Sequence, residues 1–141
     1  MNHLKVEEQR QHLIEAAVAV KSKAYCPCSN FPVGCAVLSQ DGSIFIGCNV
    51  ENASYPCGSC AEAGAIAHAV SQGHRNLIAA AIATDTQEWV TPCGKCRQIL
   101  SEFMPSNASV FMVNQKLEVK ETQLGILLPL SFKLDMLPGQ K

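Results

Sequence analysis

The chain has 141 residues, 48% of them hydrophobic, and a formal net charge of -1 from 11 basic and 12 acidic side chains. This is the usual size of one domain with enough apolar material for a core, so one unit spanning 1–141 is expected. No basic run points to nucleic acid, no apolar stretch approaches the roughly 20 residues of a membrane helix, and Met1-Asn2-His3-Leu4-Lys5 lacks the apolar core of a secretory leader.

Leu13, Ala17, Val20 and Ala24 recur at helical spacing and predict a helix from Val6 to Ala24, which Tyr25-Cys26-Pro27-Cys28 breaks. Phe31 to Ser39 predicts a strand. Asp41-Gly42 predicts a tight turn, and Ser43 to Glu51 a second, antiparallel strand with Asn49 and Glu51 on one face at its end. A loop to Ser59 precedes an Ala-rich helix from about Cys60 to Gln72, with Gly73 closing it. Leu77 to Ala83 is wholly apolar, as in a buried central strand. Thr91-Pro92 reads as an N-cap followed by Pro at the first helical position, opening a helix that Pro105 ends. Ser109 to Val113 and Lys116 to Lys120 predict the last strands, and Leu124 to Leu128 a short helix stopped by Pro129. This order predicts an α/β domain, a three-layer α/β/α sandwich on a mixed five-stranded sheet. The hairpin should be antiparallel, with parallel neighbours across the helical crossovers.

The eight cysteines make up about 6% of the chain, below the ~8–10% of disulfide scaffolds. Without a leader they suit a reducing, cytoplasmic location, where clustered cysteines bind metal or act in catalysis. Cys93 and Cys96 share one face of a helix's first turn, where the dipole favours thiolate. Cys57 and Cys60 form a second C-x-x-C pair, which leaves two readings open. All four thiols could close a structural zinc site without catalytic function. Alternatively Cys60 alone joins Cys93 and Cys96 and leaves a fourth position for water. Glu62, two residues past Cys60, favours the second reading if Cys60 sits at a helix cap, because a carboxylate there can accept a proton from that water. Cys26, Cys28, Cys35 and Cys48 read as buried small side chains, and His68 and His74 as surface residues.

Cys60-Ala61-Glu62 with Pro92-Cys93-Gly94-Lys95-Cys96 matches the zinc deaminase signature of His or Cys, any residue, Glu, then Pro-Cys-x-x-Cys. With Ala24-Tyr25-Cys26-Pro27, Phe31-Pro32-Val33-Gly34, Gly47-Cys48-Asn49-Val50-Glu51-Asn52-Ala53, Leu127-Leu128-Pro129 and Ser131-Phe132, the chain resembles the small homotetrameric zinc-dependent cytidine deaminases of pyrimidine salvage. The resemblance implies hydrolysis of cytidine and deoxycytidine to uridine and deoxyuridine with loss of ammonia, by attack of zinc-bound hydroxide on C4. It implies one zinc per subunit on Cys60, Cys93 and Cys96, with Glu62 as proton shuttle. It further implies Asn49 and Glu51 on the sugar hydroxyls, Phe31 on the base, and Ala61 and the Thr91 carbonyl on the base edge. Ala53 joins the substrate contacts, and Tyr55 and Phe132 complete a neighbouring subunit's site. The implied partners are a nucleoside and three further copies of the chain, with neither nucleic acid nor membrane.

Two positions depart from the family pattern. Many members carry Arg directly after Cys-Ala-Glu, where this chain has Ala63. Zinc on three thiolates has a net charge of about -1, so without that Arg the chain relies on Arg97, Lys95 or the helix N-termini, and slower turnover or a more alkaline optimum is expected. Cys57 stands where an apolar residue is expected, and reads as a small buried side chain or a competitor for zinc. Rival readings are a same-fold deaminase of another cytosine nucleoside (an antibiotic, for example) and a non-catalytic four-cysteine zinc module.

Overall fold

A computed structural model of the chain describes residues 2–139. In order it runs α1 (Asn2–Lys21), β1 (Val33–Ser39), β2 (Ile44–Cys48), a 3-10 turn (Tyr55–Cys57), α2 (Ala61–Ser71), β3 (Leu77–Thr84), α3 (Gly94–Phe103), β4 (Ser109–Val113), β5 (Val119–Gln123), α4 (Leu124–Leu127) and a 3-10 turn (Leu134–Met136). The five strands form one sheet ordered β2-β1-β3-β4-β5. One face carries α1, whose Leu13, Ile14 and Ala17 pack on Ala36, Leu38, Ala81 and Phe111. The other carries α2 and α3, where Ala65, Ala69 and Leu100 meet Cys35, Val37, Ala80 and Ile82. The expected three-layer sandwich on a mixed sheet is the observed one.

The sheet departs from expectation at one crossover. Only β3 and β4 are parallel neighbours, whereas β3, reached through α2, pairs antiparallel with β1 because β1 lies between it and β2. The start of β1, the end of β2 and the end of β3 therefore meet at one end of the sheet. The N-termini of α2 and α3 open at that same end.

Several element boundaries also move, and β2 ends at Cys48, which leaves Asn49 and Glu51 just beyond the strand. Helix α1 starts earlier and ends at Lys21, since Tyr25 is drawn off to Val50: its N–H donates to Asn49 O at 3.0 Å, and its carbonyl accepts from Glu51 N–H at 2.8 Å. Strand β5 starts three residues after the predicted Lys116, at Val119. Asn114, only 1% exposed, explains the delay: its Oδ1 accepts the N–H of Lys116 at 3.0 Å and of Glu118 at 2.9 Å, holding that stretch as a turn. At α3 the cap is Cys93 rather than Thr91, so Pro92 precedes the helix. The Thr91 hydroxyl instead accepts from Arg97 Nη2 at 2.9 Å.

Gly47 and Gly34 set how closely the layers approach. A Cβ at Gly47 would lie 2.2 Å from Ala65 N and 2.5 Å from Ala61 O, and one at Gly34 would lie 2.1 Å from Ala17 O. Glycine therefore lets α2 and α1 press directly on the hairpin. Strand β2 is an edge, and its central residue is engaged by a side chain of α2. Ile46 N–H donates to His68 Nδ1 at 3.2 Å, and the same nitrogen lies 3.3 Å from Ile46 O. His68 is thus exposed, as expected, but engaged. His74, expected on the surface, is half-buried: it bonds Ser39 Oγ at 2.9 Å and its ring lies 4.7 Å from that of Phe45. Of the four cysteines expected to be buried only Cys35 is, and Cys28 is exposed because it sits in the Cys26–Asn30 loop outside both cores.

Candidate active site

Cys60 is the N-cap of α2, with extended φ -77° and ψ 157°, and Cys93 is the N-cap of α3, with φ -66° and ψ 166°. Extended caps turn both side chains off the helix axes toward the gap between the two N-termini. Cys96, wholly buried one turn into α3, faces the same gap. The three Sγ atoms lie within 4.8 Å of one another. Glu62, in the first turn of α2 and 5% exposed, lines the same cavity. A cap residue is not yet helical, so residues two apart can share a side here.

Cys57 stands apart. It is exposed rather than buried, because Pro56 and the 3-10 turn carry it outward, and its Sγ contacts Ser54 Oγ at 3.5 Å. Among the described residues the only group positioned for a metal is Cys60, Cys93 and Cys96. Three soft thiols with no fourth protein ligand suit zinc in an open site.

The electrostatics fit a dication. Burial, then the charges of Cys93 and Glu62, pushes the Cys60 thiol up. Burial, then Glu62 and Cys60, pushes Cys96 up strongly. Burial also lifts Cys93, but the Cys96 N–H and the neighbouring thiols outweigh it and hold Cys93 below its ordinary value. A divalent cation would offset both the burial and the mutual repulsion that push the other two thiols up. Burial likewise raises the Glu62 carboxyl, partly offset by its own N–H and the Cys96 thiol.

Among the described residues, neither Arg97 nor Lys95 completes the cluster. Arg97 donates from Nε to Pro92 O at 2.8 Å, from Nη1 to Leu127 O at 2.8 Å and from Nη2 to Thr91 Oγ1 at 2.9 Å. Each of its nitrogens holds a neutral oxygen, so Arg97 braces the loop before α3 instead of meeting the thiols. Lys95 is exposed. The helix N-termini remain as the source of positive potential.

The cavity holds about 350 Å³ and is lined by Phe31, Asn49, Glu51, Cys60, Ala61, Glu62, Thr91, Cys93 and Cys96, with Val33, Ile82 and Thr84 at its floor. The fold thus brings together most of the residues singled out from the sequence. Asn49 is bound on both sides: its Oδ1 accepts Val33 N–H at 2.9 Å, and its Nδ2 donates to Phe31 O at 2.8 Å. Glu51 accepts from the Ser29 hydroxyl, from Cys28 N–H at 2.8 Å and from Ser29 N–H at 3.1 Å. Ser29 was not legible as a site residue, because nothing in a serine 22 positions from Glu51 signals the contact.

Three expected residues stay outside. Tyr55, 77% exposed, lines an adjoining cavity of about 390 Å³ with Asn52 and Cys28. Phe132, 55% exposed, is held by its carbonyl, which accepts Gln98 Nε2 at 3.0 Å. Ala53 is exposed in the loop before Tyr55. A larger groove of about 840 Å³ lies at the opposite end of the sheet between Asn76, Glu102 and Lys133, and no cysteine lines it.

Comparison with known proteins places these features in a family. Residues 7–112 match the model of the cytidine and deoxycytidylate deaminase zinc-binding region. The chain is 43% identical over 122 residues to the cytidine deaminase of Sporosarcina psychrophila, covering 86% of this chain and 90% of that one. It is 42% identical over 123 residues to that of Halalkalibacterium halodurans, covering 87% and 93%. The crystal structure of cytidine deaminase from Burkholderia pseudomallei superposes with a TM-score of 0.82 at 44% identity, over 86% of this chain and 98% of that one. That from Mycobacterium tuberculosis gives 0.76 at 36% identity, over 88% and 97%.

Proposed function

This chain belongs to the zinc-binding cytidine and deoxycytidylate deaminase family, and from that premise we propose that it hydrolyses cytidine and deoxycytidine to uridine and deoxyuridine, releasing ammonia. The observation that carries the reading is the cluster of three thiols at two helix caps with Glu62 buried in the same cavity.

Cys60, Cys93 and Cys96 would hold zinc as thiolates. Zinc bound there supplies Lewis-acid activation of a water molecule for attack on C4 of the cytosine ring. Glu62 would take one proton from that water and deliver it to N3, then take the second from the same oxygen once it is bonded to C4 and pass it to the departing amine. Its raised affinity for protons brings it nearer the working pH, where a group that both accepts and donates is most efficient. Phe31 packs on the base, the backbone of Ala61 and Thr91 meets the base edge, and at the sugar hydroxyls Asn49 donates and Glu51 accepts. Glu51 remains an acceptor-only carboxylate, because the Ser29 hydroxyl and two backbone N–H groups outweigh burial and hold its pKa low.

Ala53 joins the substrate contacts, Tyr55 and Phe132 act in the site of a neighbouring copy, and the enzyme works as a homotetramer. The exposure of Tyr55, Leu130, Phe132, Leu134 and Met136 supports this, since such an apolar surface suits burial between copies. The chain is a single domain over 1–141, supported by one sheet carrying helices on both faces. It acts in the cytoplasm, consistent with eight free cysteines. Among the described residues no helix is long and apolar enough to cross a membrane.

The test is uridine formation by zinc-loaded protein, with metal counted in the parent, Cys57→Ala and Cys60→Ala. The expected result is that the parent and Cys57→Ala turn over with equal zinc, while Cys60→Ala loses both. Loss of zinc from Cys57→Ala would instead establish a closed four-cysteine site. A further expectation concerns Ala63. Ala63→Arg adds the cation that Arg97 cannot supply, so turnover should rise and the optimum move to lower pH. A rate–pH profile identical to the parent's would dispose of that account.

A further inference from the structure

Resting on the reading of Glu51 and Phe31 as sugar and base contacts, we propose that Ser29 is a positioning residue that locks these two groups into one unit and thereby sets recognition of the ribose hydroxyls. Ser29 lies in the loop between α1 and β1, beside both the catalytic cavity and the one adjoining it. A hydroxyl has one proton to give and lone pairs to receive. Here the proton goes to Glu51 Oε2, and a lone pair accepts Phe31 N–H at 3.1 Å. Ser29 N–H adds a contact to Glu51 Oε1 at 3.1 Å, and Cys28 N–H another at 2.8 Å.

The turn that makes this possible is fixed locally. Asn30 adopts φ 54°, a left-handed conformation that Asn tolerates, and its N–H donates to Cys26 O at 2.9 Å. Phe31 is then held at both ends, its N–H by Ser29 and its carbonyl by Asn49.

The arithmetic of the carboxylate gives this its consequence. Oε1 is filled by two N–H groups, whereas Oε2 has one donor and retains acceptor capacity. Ser29 therefore aims the open lone pair of Glu51 into the cavity and prevents the carboxylate from rotating. Without the hydroxyl, two backbone contacts to Oε1 leave Oε2 free to swing, whereas Phe31, losing the partner of its N–H, stays anchored through its carbonyl to Asn49. The cost falls on binding of the sugar and not on proton transfer at Glu62.

The experiment measures KM and kcat for cytidine, and inhibition by uridine and by 2′,3′-dideoxyuridine, in zinc-loaded parent, Ser29→Ala, Ser29→Thr, Glu51→Gln and the Ser29→Ala/Glu51→Gln pair. Ser29→Ala should raise cytidine KM and uridine KI by about tenfold, the size of one charge-assisted hydrogen bond. The KI of dideoxyuridine, which offers no such hydroxyls, should change by less than about twofold, and Ser29→Thr should restore the parent ratio. On the Glu51→Gln background Ser29→Ala should add little, because the two act as one unit. Equal weakening of both inhibitors by Ser29→Ala would overturn the proposal and make Ser29 merely structural. An unchanged uridine-to-dideoxyuridine ratio in Glu51→Gln would instead overturn the sugar role of Glu51 itself, a separable failure. Should Ser29→Ala not fold, Ser29→Cys, similar in shape but a weak donor, must show the same selective loss.

Discussion

Glu62→Gln will cut kcat for cytidine by about 10²- to 10⁴-fold, the range of general acid–base catalysis, while zinc content and melting temperature stay close to the parent's. Glutamine has the same shape and fits the first turn of α2, but it cannot accept a proton. Metal is retained because Glu62 is not among the three thiols that converge. Fold stability is retained for a reason that can be given a sign. Burial raises the Glu62 carboxyl, so the folded chain favours its neutral form. That contribution is present at low pH and is lost as pH rises through the raised value, and a neutral amide escapes the loss. The same shift fixes the acid limb of the parent's rate profile. The proton-accepting carboxylate disappears as pH falls through the raised value, so kcat/KM should drop there, and the residual rate of Glu62→Gln should lack that limb. A variant keeping more than about a tenth of the parent kcat would remove Glu62 from the chemistry.

Gly47→Ala will strongly destabilise the protein. The added carbon would sit 2.2 Å from Ala65 N, 2.5 Å from Ala61 O and 2.6 Å from Gly64 C, all backbone atoms of α2. Side-chain overpacking typically costs about 1–3 kcal/mol. Here no side chain can yield and the helix must move, so about 4 kcal/mol or more is expected. This lowers the melting temperature of the zinc-loaded protein by roughly 12 °C or more. The displaced helix is the one whose cap is Cys60, so zinc affinity should fall with stability. Gly94→Ala makes the control: a Cβ there meets nothing within 4 Å, and its melting temperature should hold or rise. Equal melting temperatures for the two variants would show that α2 does not rest on Gly47.

The sequence carried the fold's layers because periodicity is local. Val6 to Ala24 announces its element by spacing, Leu77 to Ala83 and Ser109 to Val113 by short apolar runs, and the metal cluster by cysteine pairs followed by helix-forming runs. What escaped it was long-range. The antiparallel pairing of β3 with β1 depends on which strand already occupies the neighbouring slot, and no local pattern encodes that. The late start of β5 depends on a buried asparagine whose partners fold around it. Thr91 has the chemistry of a cap, but the Arg97 guanidinium claims its hydroxyl. In the site, the thiols and Glu62 were legible because zinc chemistry restricts residue type and spacing. Ser29 was not, since a serine gains its meaning only from the carboxylate that the fold brings to it.

The imidazole of His68 on the outer edge of β2 bears on how the molecule behaves in a crowded solution. An open strand edge is a template on which another chain can extend the sheet, and Ile44 and Ile46 would make it an adhesive one. His68 occupies the N–H of Ile46 from the molecule's own helix, so an incoming strand finds the central donor of that edge already taken. At the far edge, Lys120 and Glu121 place full charges along β5. The two sides of the sheet thus resist fibrillar self-association by different chemistry, one by internal hydrogen bonding and one by charge.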